Sequence, residues 1–332
     1  MFHVLLGSIS LLCTSVFAAN PDHSEGVIKV FLLAGQSNME GQGVVDLDHP
    51  EHYNGGRGIL KTVLDDPDTG RAFGHWRNAD GSWVKRDDVF VCYQPERGPY
   101  KAGPLSIGFA GYEGLHHFGP EMELGWELGE HFHEPVLLIK TCWGGKSLMN
   151  DFRPPSSGGK VGPFYTRMIK EYQEALASIG KRFPALAEMK PELAGFVWFQ
   201  GWNDMFTDGG LDAYEENLIN LINDVRDELK APNLPFVVGQ TGNADNEKLW
   251  AAQQAAALAP EFNGRGAYVP TREFLLLPKD SPNQGHGHHW FGNAESYLRI
   301  GDALGHAMVS LHPVMTGVNE EDSDSTEQAG ER

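Results

Sequence analysis

The sequence predicts an α/β fold, a three-layer α/β/α sandwich on a mainly parallel central sheet with a loop/β insertion. Three observations carry that expectation. Four short, nearly continuous apolar runs each stop at a glycine-containing polar turn, as strands covered on both faces do in a parallel sheet. Between them lie stretches whose apolar residues recur at helical spacing, and strand–helix alternation of this kind builds layered α/β domains. The 40 glycines among 332 residues favour tight turns over a helical bundle.

Val27 to Leu33 is the first run and closes at Ala34-Gly35-Gln36-Ser37. Pro135 to Ile139 leads into Cys142-Trp143-Gly144-Gly145, and Leu193 to Phe199 into Gln200-Gly201-Trp202-Asn203. Leu234 to Val238 ends at Gly239-Gln240-Thr241-Gly242. Phe164, Met168, Tyr172, Leu176 and Ile179 mark one helix, which Pro163 is suited to start. Leu211, Tyr214, Leu218, Leu221, Val225 and Leu229 mark a second, and about Ala294 to Leu311 a third. Residues 51–114 break the rhythm and read as an insertion, with Trp83 to Tyr93 as paired short strands. The expected organisation is a signal peptide over 1–18, one domain over 19–316 and a disordered acidic tail over 317–332.

The apolar stretch Val4 to Ala18 is short for a membrane span and ends in a Val-x-Ala pattern, which predicts cleavage and a secreted or periplasmic protein with no membrane association afterwards. A net charge of −19 and a pI near 5.1 repel nucleic acid and anionic lipid. Only Cys92 and Cys142 survive such cleavage; one pair at most could form, so no disulfide scaffold is expected.

The polar signals cluster where the strands end, the place where open α/β sheets bind ligands. A serine at the turn after the first strand, Ser37, can aim its hydroxyl into the cleft and its N–H at a developing oxyanion; helix capping is the plainer role for the same residue. Gly145 and the Asn203 side chain could add two more donors, although a glycine turn and a turn asparagine are each unremarkable alone. Gly285-His286-Gly287-His288-His289-Trp290 precedes the last helix. One of these histidines can take a serine proton. A histidine-dense tract also suits metal, but the chain has no HExxH and no apparent cysteine ligands.

Taken in order, Gly-Gln-Ser-Asn-Met at 35–39, Gly-Gly-x-Ser at 144–147, Gln-Gly-x-Asn at 200–203 and a late histidine before a helix resemble the SGNH-hydrolase superfamily. Within it the chain is most similar to the sialate O-acetylesterase-like carbohydrate esterases, carbohydrate esterase family 6. Gly119-Pro120-Glu121 and His289-Trp290 followed by Asn293 to Tyr297 and Ile300-Gly301 also resemble that group. The resemblance runs from Val27 to about Met308 and implies an SGNH/flavodoxin-like sheet. It implies Ser37 as nucleophile, His289 as base with His288 as the second choice, and an oxyanion hole from Ser37 N–H, Gly145 N–H and Asn203. The superfamily places an aspartate three residues before its histidine; here that position is His286, with Asp280 further upstream as a possible substitute.

The expected chemistry is acyl transfer through Ser37, with no metal and no cofactor, on an acetylated carbohydrate (a polysaccharide or sialic acid). Gln36, Gln200, Trp202 and Trp290 are assigned to substrate contact, and Trp143 also lies beside the site, although core packing is the ordinary fate of tryptophan. Lys146 and Arg153 could meet a charged sugar or simply be solvated. A non-catalytic carbohydrate-binding protein on the same fold is the alternative, favoured by the missing aspartate and opposed by the joint presence of Ser37, Asn203 and His289.

Overall fold

The computed structural model describes residues 26–312, so the expected signal peptide and acidic tail lie outside the described residues. Among the described residues, nine strands and nine α-helices follow in the order β1 (Val27–Gly35), α1 (Ser37–Glu40), β2 (Gly43–Val44), α2 (Leu60–Val63), α3 (Pro67–Phe73), β3 (Val89–Tyr93), β4 (Lys101–Pro104), β5 (His117–Phe118), α4 (Glu121–His131), β6 (Val136–Cys142), α5 (Pro163–Ala177), α6 (Ile179–Arg182), β7 (Lys190–Phe199), α7 (Tyr214–Glu228), β8 (Phe236–Gly239), α8 (Glu247–Ala257), β9 (Gly266–Val269) and α9 (Ala294–Ser310). Seven strands form one sheet in the order β4-β3-β6-β1-β7-β8-β9. It is parallel throughout except for the antiparallel edge pair β3–β4. The expected mainly parallel α/β fold is what the chain adopts.

Alternation along the strands produces the layers. Phe31 and Leu33 of β1 pack with Leu138 of β6 against Leu124 of α4 and with Ile300, Leu304 and Met308 of α9. Ile28, Val30, Leu32 and Ala34 face the other way, toward Met168 and Tyr172 of α5, Leu218 and Leu221 of α7 and Ala252 of α8. Because neighbouring side chains leave a strand on opposite faces, a run covered on both sides must be apolar throughout. That accounts for the uninterrupted runs in the sequence.

Residues 51–114 differ from the expectation. Val89-Phe90-Val91-Cys92-Tyr93 is not part of a peripheral hairpin alone; it pairs in parallel with β6 as a strand of the main sheet, with β4 added at the edge. The crossover from β1 carries only short helices, which is why no helical period announces it. Cys92 and Cys142 are both buried and unpaired. Among the described residues no helix is long and apolar enough to cross a membrane.

Candidate active site

β1 delivers Ser37 to the end of the sheet because Gly35 lets two strands close up. Its φ is +155°, and a Cβ there would sit 2.2 Å from the Phe199 carbonyl oxygen of β7. The chain then turns at once into α1. Gln36, not Ser37, occupies the N-cap, and no side chain caps the helix. Ser37 is 8% exposed, and its hydroxyl makes no hydrogen bond among the described residues, so capping is not its role.

Ser37 lines a cleft of about 380 Å³ together with Gln36, Glu40, Gln42, Tyr112, Gly144, Gly145, Trp202, Asn203, His288 and His289. Thus Ser37, Gly145, Asn203 and His289, which lie far apart in the sequence, meet in one depression. Gly145 adopts φ +72°, a left-handed conformation that glycine enters without penalty. Ser37 and His289 share the cleft without a hydrogen bond between them, and such contacts often tighten only when substrate arrives.

The donors are held from behind. The Gln36 side-chain amide donates to Asn203 Oδ1 at 2.9 Å, and Gln36 Oε1 accepts from Gly201 N at 3.1 Å. This fixes the Asn203 oxygen and leaves its amide nitrogen free to donate. Gln200 is 2% exposed; it donates to the Lys146 carbonyl at 2.9 Å and to Asp204 Oδ2 at 2.6 Å, and accepts from Tyr214 Oη at 3.0 Å. Gln36 thus braces Asn203 while also lining the cleft; Gln200 does not line it and braces the site from behind, which corrects its assignment to substrate contact.

Asp204 ties the two loops together and was not singled out from the sequence. It is fully buried and accepts from Leu148 N and Met149 N, each at 2.8 Å, as well as from Gln200. Burial pushes its carboxyl up to about 6, against the pull of those three donors. Asn38, next to the serine, is a second residue the motif reading passed over. It donates to the His288 carbonyl at 3.2 Å and accepts from Tyr297 Oη at 2.8 Å. Asn243 Nδ2 donates to the same carbonyl at 2.8 Å. The histidine loop is thereby fastened to α1, α9 and the turn after β8.

His289 is partly buried, and among the described residues no carboxylate acts on its ring. Burial first, then His288 and His286, push its pKa down to about 3; the His288 ring centroid lies 4.1 Å away. His286 contributes its carbonyl, which accepts from His289 N at 2.8 Å. The Asp280 side chain is exposed, and its hydrogen bonds run through the backbone, from its N–H to the Leu277 carbonyl at 3.0 Å and from Asn293 Nδ2 to its carbonyl at 3.2 Å. Asp280 is therefore not the missing acid.

The tryptophans divide. Trp202 lines the cleft and packs near His288 and the 75% exposed ring of Phe206. Trp290 and Trp143 are fully buried, so neither can stack on a substrate, and the assignment of Trp290 to substrate contact is corrected. Trp290 and Phe291 both take φ +54°, a costly conformation for bulky residues, and this reversal sends the Trp290 ring inward. Two groups of His, Asp and Glu stand close enough to share an ion among the described residues, His49–Glu51–His52 and Glu127–Asp302–His306; the histidine tract belongs to neither.

Residues 27–310 match the profile of a family described as "Carbohydrate esterase, sialic acid-specific acetylesterase". A probable carbohydrate esterase of Arabidopsis thaliana is 23% identical over 211 residues, 63% of this chain and 67% of that protein. The crystal structure of an Arabidopsis thaliana protein superposes with a TM-score of 0.54 at 17% identity, covering 85% of this chain and 98% of that one. A carbohydrate acetylesterase of Xanthomonas citri gives 0.40 at 16% identity, with 72% and 48% covered. With the parallel sheet, the four converging segments and a family profile spanning β1 to α9, the chain belongs to the sialic acid-specific acetylesterase family of carbohydrate esterases.

Proposed function

We propose that this protein removes O-acetyl groups from carbohydrate through an acyl-enzyme on Ser37. The observation that carries the reading is the convergence of Ser37, Gly145, Asn203 and His289 on one cleft at the carboxyl end of the sheet. Ser37 Oγ attacks the ester carbonyl as His289 takes its proton. Ser37 N–H, Gly145 N–H and the Asn203 amide hold the oxyanion, and the sugar alcohol leaves with the proton from His289. Water, deprotonated by the same ring, then attacks the acyl-serine and releases acetate. Aromatic faces at the cleft, Trp202 and Tyr112, with Phe206 beside Trp202, suit sugar rings. The direct test is acetate release from acetylated xylan, and hydrolysis of p-nitrophenyl acetate, by the wild type and by Ser37→Ala. Turnover that the variant retains would sink the assignment of the nucleophile.

Two further outcomes are expected. Asn203→Ala removes one donor at the oxyanion and lowers kcat by about 10²–10³-fold, with little change in KM for a small ester. A raised KM with kcat unchanged would mean that Asn203 serves general binding instead. The pH profile follows from the depressed His289. A base with a pKa near 3 is in its proton-accepting form at every pH above that value, so kcat/KM should stay level from neutral pH to well below 6.5. His286→Asp supplies a carboxylate that favours the imidazolium, so it should move the acid limb upward and raise the rate. A wild-type midpoint at the ordinary imidazole value would count against His289 as the base.

A further inference from the structure

A second groove, of about 580 Å³, runs between α8 and the edge strand β9, and the acyl-transfer scheme does not use it. One side of α8 forms its wall. Glu247, Trp250 and Gln254, with Leu258 just past the helix end, recur there at helical spacing. Tyr268 of β9 and Gln240, which follows β8, complete the lining. The adjoining stripe of α8, Leu249, Ala252 and Ala256, is buried in the core. The helix therefore has its apolar partner already and still presents an aromatic ring outside it.

Both rings are set in place before any ligand arrives. The Trp250 indole N–H donates to the Thr241 carbonyl at 3.0 Å, and the Arg272 guanidinium lies 5.7 Å from the ring centroid. The Tyr268 hydroxyl hydrogen-bonds to the Gln240 side chain. Gln240 Oε1 in turn accepts from Thr271 N and Arg272 N, each at 2.9 Å. The Glu247 and Gln254 side chains, in contrast, are exposed and make no hydrogen bond among the described residues. An apolar partner would cover these two groups and leave them unpaired, which is costly. The hydroxyls of a sugar answer them, while its ring lies on the aromatic faces.

We infer that this groove is a second carbohydrate-binding site, which holds neutral rings of the glycan chain whose acetyl ester is presented to Ser37. The carbohydrate class rests on the family, and the link to turnover rests on the esterase reading above. Position supports the link. Ser37 follows β1, Gln240 follows β8 and Pro270 follows β9, and these strands lie in the order β1-β7-β8-β9. At ~4.8 Å per strand, the groove opens about 10–15 Å from the nucleophile on the same carboxyl edge of the sheet. The loop after β8 serves both places. Gln240 lines the groove, and Asn243 donates to the His288 carbonyl at 2.8 Å. A glycan ending in an acetylated sialic acid supplies neutral rings as an acetylated polysaccharide does.

The test has a binding arm and a turnover arm. Xylohexaose and sialyllactose, which carry no ester, are titrated calorimetrically into the wild type, Trp250→Ala and Gln254→Ala. At least one should bind the wild type, with a Kd that rises about two- to tenfold in each variant. Gln254→Ala removes an exposed group without a partner, so it keeps the test open should Trp250→Ala not fold. The turnover arm divides kcat/KM on acetylated xylan, or on O-acetylated sialyllactose, by kcat/KM on p-nitrophenyl acetate within each protein. That ratio should fall by the same factor, through KM. Binding of neither probe overturns the inference. Binding that both variants retain unchanged assigns the sugar to the Ser37 cleft and overturns it too, as does a constant turnover ratio while Kd rises. Concentration-dependent dimerisation that Trp250→Ala abolishes would give the groove to a second copy of this chain instead. No hydrolysis of any ester, with probe binding still weakened by both variants, would remove the esterase reading and leave the sugar site standing.

Discussion

Ser37→Ala is expected to fold as the wild type does and to lose about 10⁴-fold or more in ester turnover. Both halves follow from what the hydroxyl touches. It makes no hydrogen bond to the described residues and caps no helix, so alanine deletes one oxygen that faces the cleft and leaves no buried partner unsatisfied. The backbone N–H at position 37 and the Gly145 and Asn203 donors remain, so a residual rate above the uncatalysed reaction should persist. Thermal unfolding should shift by no more than a degree or two, since substitutions that break no buried contact stay within about 0.5 kcal/mol. Parallel loss of stability and activity would mean that the serine supports the fold, and the nucleophile would have to be sought elsewhere.

Four central strands and the three long helices were legible in the sequence because each has a physical reason to look regular. β1, β6, β7 and β8 are covered on both faces and so read as unbroken apolar runs. α5, α7 and α9 bury one stripe each and show the helical period. β3 was legible as a strand, but its place in the main sheet was not, because the crossover before it has no long helix to mark a parallel connection. α8 and β9 escaped; alanine dominates the buried side of α8, and β9 has only four residues, mostly half-buried.

At the site, polar groups that end a strand could be found from the strand itself, and Ser37, Gly145, Asn203 and His289 do share a cleft. Acids that work by burial could not. Asp204 resembles an ordinary surface carboxylate until the fold encloses it. Trp290 misled for a related reason, since its inward direction depends on a positive φ at two successive bulky residues, which side-chain chemistry does not announce.

Asp204→Ala should be the most destabilising change near the cleft. The carboxylate is wholly enclosed, and removing it strands the Leu148 and Met149 N–H groups and one arm of the Gln200 amide. Each unpaired buried donor costs roughly 1–3 kcal/mol, so a total of about 3–5 kcal/mol is expected, in keeping with losing one partner of a buried charged network. For a domain of this size that lowers Tm by about 10 °C or somewhat more. Activity should suffer beyond the loss of folded protein, because the same carboxylate holds the loop that follows Gly145 against the turn that carries Asn203. Two oxyanion donors are then misplaced at once, and kcat should fall by about 10²-fold or more when measured well below the variant's own Tm. Asp204→Asn makes the sharper comparison. Its amide group keeps the shape but turns at least one N–H toward another donor, so partial recovery of Tm without recovery of kcat would identify the carboxylate's geometry, and not its bulk, as what sets the site. A wild-type Tm in Asp204→Ala would show that the two loops are held by something other than this side chain.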